Sequence, residues 1–275
     1  MSKLDGISTS LASDENRIKT NGQVFTPDSI VNDMLDDTDR KLAEYFGVND
    51  VSEISDDDYI SYVVFEPTAG NGNFLIRELD RKLERVQNYF GIGMDIALLK
   101  AVASIHSVEL TAENVVSAKL RMMEVIENGS TPVFELEYKE VKPFRTKGFE
   151  ISQELKKCIQ FILDRNIQCG DVLKSDHLLT WKDESIDSIW NLDKNKLNFA
   201  DALFRTDERD DELKLTQYDF ESSKVAIRER AYSNMHDTVE RYSGETGYVD
   251  YNKLYTLPSR LVYVEAVEDN EELDF

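Results

Sequence analysis

Disulfides are the first thing this chain is short of. Its 275 residues hold two cysteines, Cys158 and Cys169, too few for a disulfide framework and typical of a reducing compartment. Histidine is scarcer than a metal site needs: His106, His177 and His236 are scattered, with no ligand spacing toward either cysteine, so no metal is expected. No apolar run approaches the ~20 residues that cross a bilayer. The opening "MSKLDGISTS" lacks the apolar core of a signal peptide, and the expectation is a cytoplasmic protein with no membrane partner. There is no Walker-type Gly-Lys-Ser turn and no G-x-S-x-G elbow. The five prolines, Pro27, Pro67, Pro132, Pro143 and Pro258, are never adjacent, and none lies between Asp171 and Pro258.

Basic residues are also in deficit. Lys and Arg number 32 against 54 Asp and Glu, a formal net charge of −22. Proteins that grip a phosphate backbone unaided show a basic stripe, because counterion release drives that binding. The acids here are spread widely, with runs at Asp56 to Asp58, at "RTDERDDELK" and at "EDNEELDF". Such a surface is a solvated face, the complement of a basic partner, or an imitation of nucleic acid; net charge does not separate the three.

What is present is the alternation of strand and helix signals. Residues 1–21 are polar and aperiodic, a flexible arm. "PDSIVNDMLDDTDRKLAEYF" predicts an amphipathic helix with Ile30, Met34 and Leu35 on one face, opened by Pro27 in its first turn. "NDVSEISDDD" reads as a loop or short turn, and "YISYVVFEP" as a buried strand. Helical spacing of Leu75, Leu79, Leu83 and Val86 follows, then a short helix over "DIALLKAVAS" and a strand over "IHSVEL". Thr111 opens a helix with Asn114 three positions on, an imperfect capping box. "TPVFELEYKEVKPF" suggests a half-exposed strand or hairpin arm, "ISQELKKCIQFILDRN" a helix, and "IQCGDVL" a short buried strand. Cys158 and Cys169 fall on apolar, core positions. Further on, "DSIWNL" and "SRLVYVEAV" suggest strands and "ESSKVAIRERAYSNMHDTVERY" a helix. The alternation predicts an open α/β sheet with helices on both faces.

In such a sheet a ligand sits beyond the carboxyl ends of the strands. "VVFEPTAGNGNFL" builds such a place: Glu66 ends a strand, Gly70 and Gly72 admit close backbone approach, and Asn73 opens a helix with free N–H groups. A glycine turn alone is also ordinary architecture. Glu109, ending the next strand, is placed to take both hydroxyls of a ribose, or to act as a charge at the start of the following helix. Asp171 is placed to read an exocyclic amine, or to be an ordinary Asp turn.

Together, "QVFTP", "FEPTAGNGNFL", "SVELTAENV" and "CGDVL" closely resemble, in order, the motifs of the amino-methylating DNA methyltransferases that act on adenine N6. The resemblance covers residues 22 to about 174. It implies a Rossmann-like class I methyltransferase sheet binding S-adenosylmethionine (SAM), with an N-terminal helical segment and a C-terminal elaboration. It puts Phe25, Thr26 and Pro27 near the methionine part, and Glu66, Ala69, Gly70, Gly72 and Phe74 around the cofactor. Glu109 then serves the ribose and Asp171 the adenine. The implied division is an arm at 1–21, a SAM-binding core at 22–174, and a C-terminal part of the same domain at 175–275 with an acidic insertion.

One motif departs from the pattern. The family's catalytic loop, a polar residue followed by Pro-Pro and an aromatic, has no counterpart. "ESIDSIWNLDKNKLNF" occupies its place and offers Trp190, Asn191 and Asp193 as loose substitutes, Trp190 reading first as a packing residue and only second as a stacking platform. The implied function is SAM binding with methyl transfer to a DNA adenine. The alternatives are an inactive SAM-binding or scaffold subunit of a modification complex, with a partner supplying the catalytic loop or target recognition, and an acidic partner of a nucleic-acid-binding protein.

Overall fold

A computed structural model describes residue 26 and residues 28–129, 147–170, 214–235, 238–258 and 264–265. The architecture is mixed α/β. Helix α1 (Asp28–Phe46), a 3-10 turn (Val51–Glu53) and the short α2 (Asp56–Ser61) precede strand β1 (Val64–Glu66). Then come α3 (Asn73–Val86), α4 (Ile92–Ala103), β2 (Ile105–Glu109), α5 (Ala112–Asn128), α6 (Gln153–Asn166) and β3 (Ile167–Cys169). These three strands form one parallel sheet in the order β1-β2-β3. A second, antiparallel sheet holds β4 (Lys214–Glu221), β5 (Lys224–Met235), β6 (Thr238–Glu245) and β8 (Val264–Glu265), with β7 (Val249–Asp250) on β5.

Helix α3 is the central strut. Leu75, Leu79, Leu83 and Val86 are fully buried in one stripe, as their spacing requires. Its other faces are buried too, although they carry Arg77, Glu78, Asp80, Arg81 and Lys82. Burying charge is costly unless every donor finds an acceptor. Lys82 does so: its ammonium donates to the Tyr62 carbonyl at 2.6 Å, to Ser104 Oγ at 2.9 Å and to the Ile60 carbonyl at 3.1 Å. It also lies 3.7 Å from the centre of the Tyr62 ring. Burial pushes Lys82 down to about 8 and pushes the neighbouring Glu78 up. The Tyr62 hydroxyl donates to Glu78 Oε1 at 2.5 Å. Arg81 clamps α1, donating to Asp39 at 2.5 Å and Asp36 at 2.6 Å.

The antiparallel sheet docks on α6. Asn166, fully buried, donates to the carbonyls of Ala103 and Ile105 at 3.0 Å each and accepts from the Tyr218 hydroxyl at 3.0 Å. Arg165 pairs with buried Glu229 at 2.9 Å and stacks on Phe161 at 3.8 Å. Val225, Ile227 and Leu254 therefore join the same apolar core as α3 and α6.

Several elements differ from the expectations. The apolar face of α1 is Val31, Leu35, Leu42 and Ala43; Ile30 and Met34 are about half exposed. "DDDYIS" is helix rather than loop and strand, because Ser55 caps it by accepting from Asp58 N and three acids fill its first turn. The stretch expected as a helix over 221–242 is a pair of strands. Its burial alternates, with Val225, Ile227 and Glu229 inward, which is a period of two. Cys158 is buried as expected, whereas Cys169 at the end of β3 is exposed. The expected strands at "TPVFELEYKEVKPF" and "DSIWNL" lie outside the described residues, and of "SRLVYVEAV" only Val264–Glu265 is described, as a strand. Among the described residues no helix is long and apolar enough to cross a membrane.

Two outcomes follow from the buried ionisable groups. Lys82→Ala strips buried Glu78 of its neighbouring cation and removes the ammonium donor from the Tyr62 and Ile60 carbonyls and Ser104 Oγ, and urea unfolding is expected to show a loss of about 3–5 kcal/mol. His106 is buried in β2, and desolvation pushes its imidazole down to about 4 against an opposing hydrogen bond to the Ala103 carbonyl. The unfolded chain binds this proton from pH 6.5 downward, the folded chain only near 4. Stability therefore holds above pH 6.5 and falls between 6.5 and 4, by about 3 kcal/mol for a shift of this size. In His106→Gln that part of the acid limb should flatten; an unchanged limb in urea titrations at several pH values contradicts the assignment.

Candidate functional site

The carboxyl ends of the parallel strands meet the turn between β1 and α3. Register aligns Glu66 with Ser107, whose hydroxyl donates to the Glu66 carbonyl at 2.8 Å. The turn is then stitched to the end of β2: Ala69 N donates to the Val108 carbonyl at 3.2 Å and Gly70 N to Glu109 Oε2 at 2.8 Å. Gly170, just past β3, donates its N–H to the Glu109 carbonyl at 3.0 Å. Glu66 Oε1 closes its own turn by accepting from Thr68 N and Thr68 Oγ1, both at 3.0 Å.

Gly70 and Gly72 have φ of 55° and 90°, left-handed values that other residues rarely adopt. Gly72 is also the residue before α3, and no side chain caps that helix start. Its backbone presses on α5 so closely that a Cβ at this position meets Ala118 Cβ at 2.9 Å. The helix start thus presents uncapped N–H groups at the strand ends, a place that favours electron-rich ligand atoms.

Glu109 is nearly buried and heavily used. Oε1 accepts from Thr111 N, Thr111 Oγ1 and Asn114 Nδ2, each at 3.1 Å, while Oε2 accepts from Gly70. Thr111 does open α5, yet it makes no side-chain cap; its hydroxyl serves Glu109 instead, and so does Asn114. Arg121 holds the turn from the same helix, donating to the Asn71 carbonyl at 2.8 Å and to Asn73 Oδ1 at 2.9 Å. Asn73 Nδ2 in turn donates to the Thr26 carbonyl at 3.0 Å, across 47 residues of chain.

The fold therefore brings Thr26, Glu66, Ala69, Gly70, Gly72 and Glu109 into one neighbourhood, with Phe74 in the first turn of α3. Phe25, Pro27, Asp171, Trp190, Asn191 and Asp193 lie outside the described residues. Sequence reasoning missed Asn114, Ala118 and Arg121. Their spacing of four and then three puts them on one face of α5, a polar-small-basic stripe that was open to view. Among the described residues no cluster of His, Cys, Asp or Glu is arranged to hold a metal ion.

Gly72→Ala tests how tightly the turn is made. The substitution combines a strained φ with a clash against α5, and thermal or urea unfolding is expected to show a loss of about 1–3 kcal/mol.

Compared with known proteins, the chain matches no family model, no curated protein and no solved structure.

Proposed function

We propose that this chain binds SAM at the 66–74 turn and acts in adenine-N6 DNA methylation. The observation that carries this reading is the bond from Gly70 N–H to Glu109 Oε2, which joins the glycine turn of one strand to the terminal carboxylate of its parallel neighbour. The residues present suit the cofactor. Gly70 and Gly72 hold the turn at positive φ, the start of α3 is uncapped, and Glu109 ends β2 as an acceptor suited to a ribose hydroxyl. Glu66 commits one oxygen to Thr68, leaving the other as an acceptor for an ammonium. When bound, SAM supplies an electrophilic methyl group on a sulfonium; the chain's own part is to bind and orient it.

A second reading is favoured by a specific observation. The sequence has no adjacent prolines, and so no counterpart of the family's loop, in which a prolyl carbonyl and a polar side chain accept both hydrogens of the target amine. With a net charge of −22, unaided DNA binding is expected to be weak and salt-sensitive. The chain then serves as the SAM-binding subunit of a modification complex, and a partner brings the catalytic loop or the target recognition.

Calorimetry with SAM and with its demethylated product tests the common claim. Saturable binding is expected for both, abolished by Gly70→Leu with the far-ultraviolet circular dichroism unchanged. Asp171→Ala should weaken it about tenfold, the worth of one polar contact. No binding to the unaltered chain leaves the acidic-partner alternative. A tritiated-methyl assay on unmodified duplex DNA separates the two readings: little or no turnover by the chain alone fits the subunit. Robust turnover abolished by Asn191→Ala or Asp193→Ala identifies a divergent catalytic loop.

A further inference from the structure

We infer that Glu109 holds the ribose through Oε2 alone, and that Asn114 and Thr111 are the positioning residues that impose this. The inference rests on the SAM reading and deepens it. An ionised carboxylate offers about four lone-pair sites, two on each oxygen. Oε1 already receives three donors at 3.1 Å, from Thr111 N, Thr111 Oγ1 and Asn114 Nδ2, one more than its two sites, so it has none to spare. Oε2 receives only Gly70 N, at 2.8 Å, and keeps one site. Gripping both vicinal hydroxyls, one on each oxygen, requires breaking a bond to Asn114 or Thr111. Asn114 is 1% exposed and Glu109 7%, so the released donor has little access to water. Glu109 therefore accepts one ribose hydroxyl, on the same oxygen that holds Gly70. Ligand and turn share an acceptor, and the α5 donors fix which oxygen that is.

The geometry predicts a selective pattern that a merely structural role does not give. S-adenosylhomocysteine and its 2′-deoxy and 3′-deoxy analogues are titrated by calorimetry into the full chain, into Asn114→Ala and into Thr111→Val. Asn114→Ala is expected to weaken S-adenosylhomocysteine and one of the deoxy analogues about tenfold. On the other analogue, which lacks the hydroxyl that Glu109 accepts, the effect should shrink to within about twofold. Thr111→Val, which keeps the backbone donor, should show the same pattern more weakly, and it carries the test if Asn114→Ala does not fold. Equal losses on all three ligands mean that Asn114 only supports the fold, and the inference fails. A loss that vanishes on both deoxy analogues means a two-oxygen grip, and no loss on any ligand means no positioning role; either overturns it. An unaltered chain that binds none of the three ligands removes the SAM reading itself, a separate and recognisable failure.

Discussion

The fold turns on a buried ammonium. Lys82 lies inside the protein with acceptors on three elements: the carbonyls that end α2, the backbone that enters β1, and the hydroxyl that ends α4. A helix leaves its last carbonyls without internal partners, and a cation is the partner that also suits the helix dipole. One side chain thereby caps the end of α2 and ties it to the Ser104 hydroxyl at the end of α4, at the foot of the parallel sheet. Without it, Glu78 has a carboxylate in the interior and no nearby positive charge of comparable reach. An ammonium, with three rotatable donors, is better matched to three converging acceptors than a planar guanidinium is.

Fixing α3 at that end determines what happens at the other. The helix starts at Gly72, where the turn faces α5 across a gap too narrow for a Cβ. Three residues of α5 share the work there: Asn114 holds Glu109, Ala118 makes room for Gly72, and Arg121 holds the carbonyl of Asn71 and the side chain of Asn73. Arg121 also gives this strongly acidic chain a local positive charge beside the turn. The result is a turn whose backbone geometry is set by a neighbouring helix and a neighbouring strand, which is what a preorganised binding site requires.

Much of this was readable in the sequence wherever a period was strong. The stripe of Leu75, Leu79, Leu83 and Val86 gives α3, the glycine turn gives its start, and the alternation of strand and helix signals gives the parallel strands. Reading failed where two periods fit the same letters. "VAIRERAYSNM" suits a helix by its Ala, Arg and Glu content, yet Val225 and Ile227 are needed by the core on alternate residues, and tertiary packing overrides propensity. In α1, Ile30 and Met34 look apolar and inward, but the core takes Val31 and Leu35, one residue further round the helix. Glu109 was legible as the acid that ends β2, whereas its four bonds were not, because two of its donor residues open the next helix and a third donor comes from 39 residues back.

The internal pairing of bases bears on how such a chain can meet nucleic acid. Arg81, Arg85, Lys100, Lys119, Lys156 and Arg165 are each paired with an acid in the structure. Each cation so used is one that phosphate must compete for, and breaking a pair such as Arg165–Glu229 leaves a buried carboxylate without its partner. The excess of 54 acids over 32 bases is therefore a generous measure of the positive charge on offer to a polyanion. Affinity for a phosphate backbone grows with the number of cations that replace condensed counterions. Under the proposed function, with these six described cations committed to pairs within the chain, a basic partner is the most direct source of that affinity. Under the proposed DNA-directed function, the acidity that counts against an enzyme working alone is thus what favours the subunit reading over it.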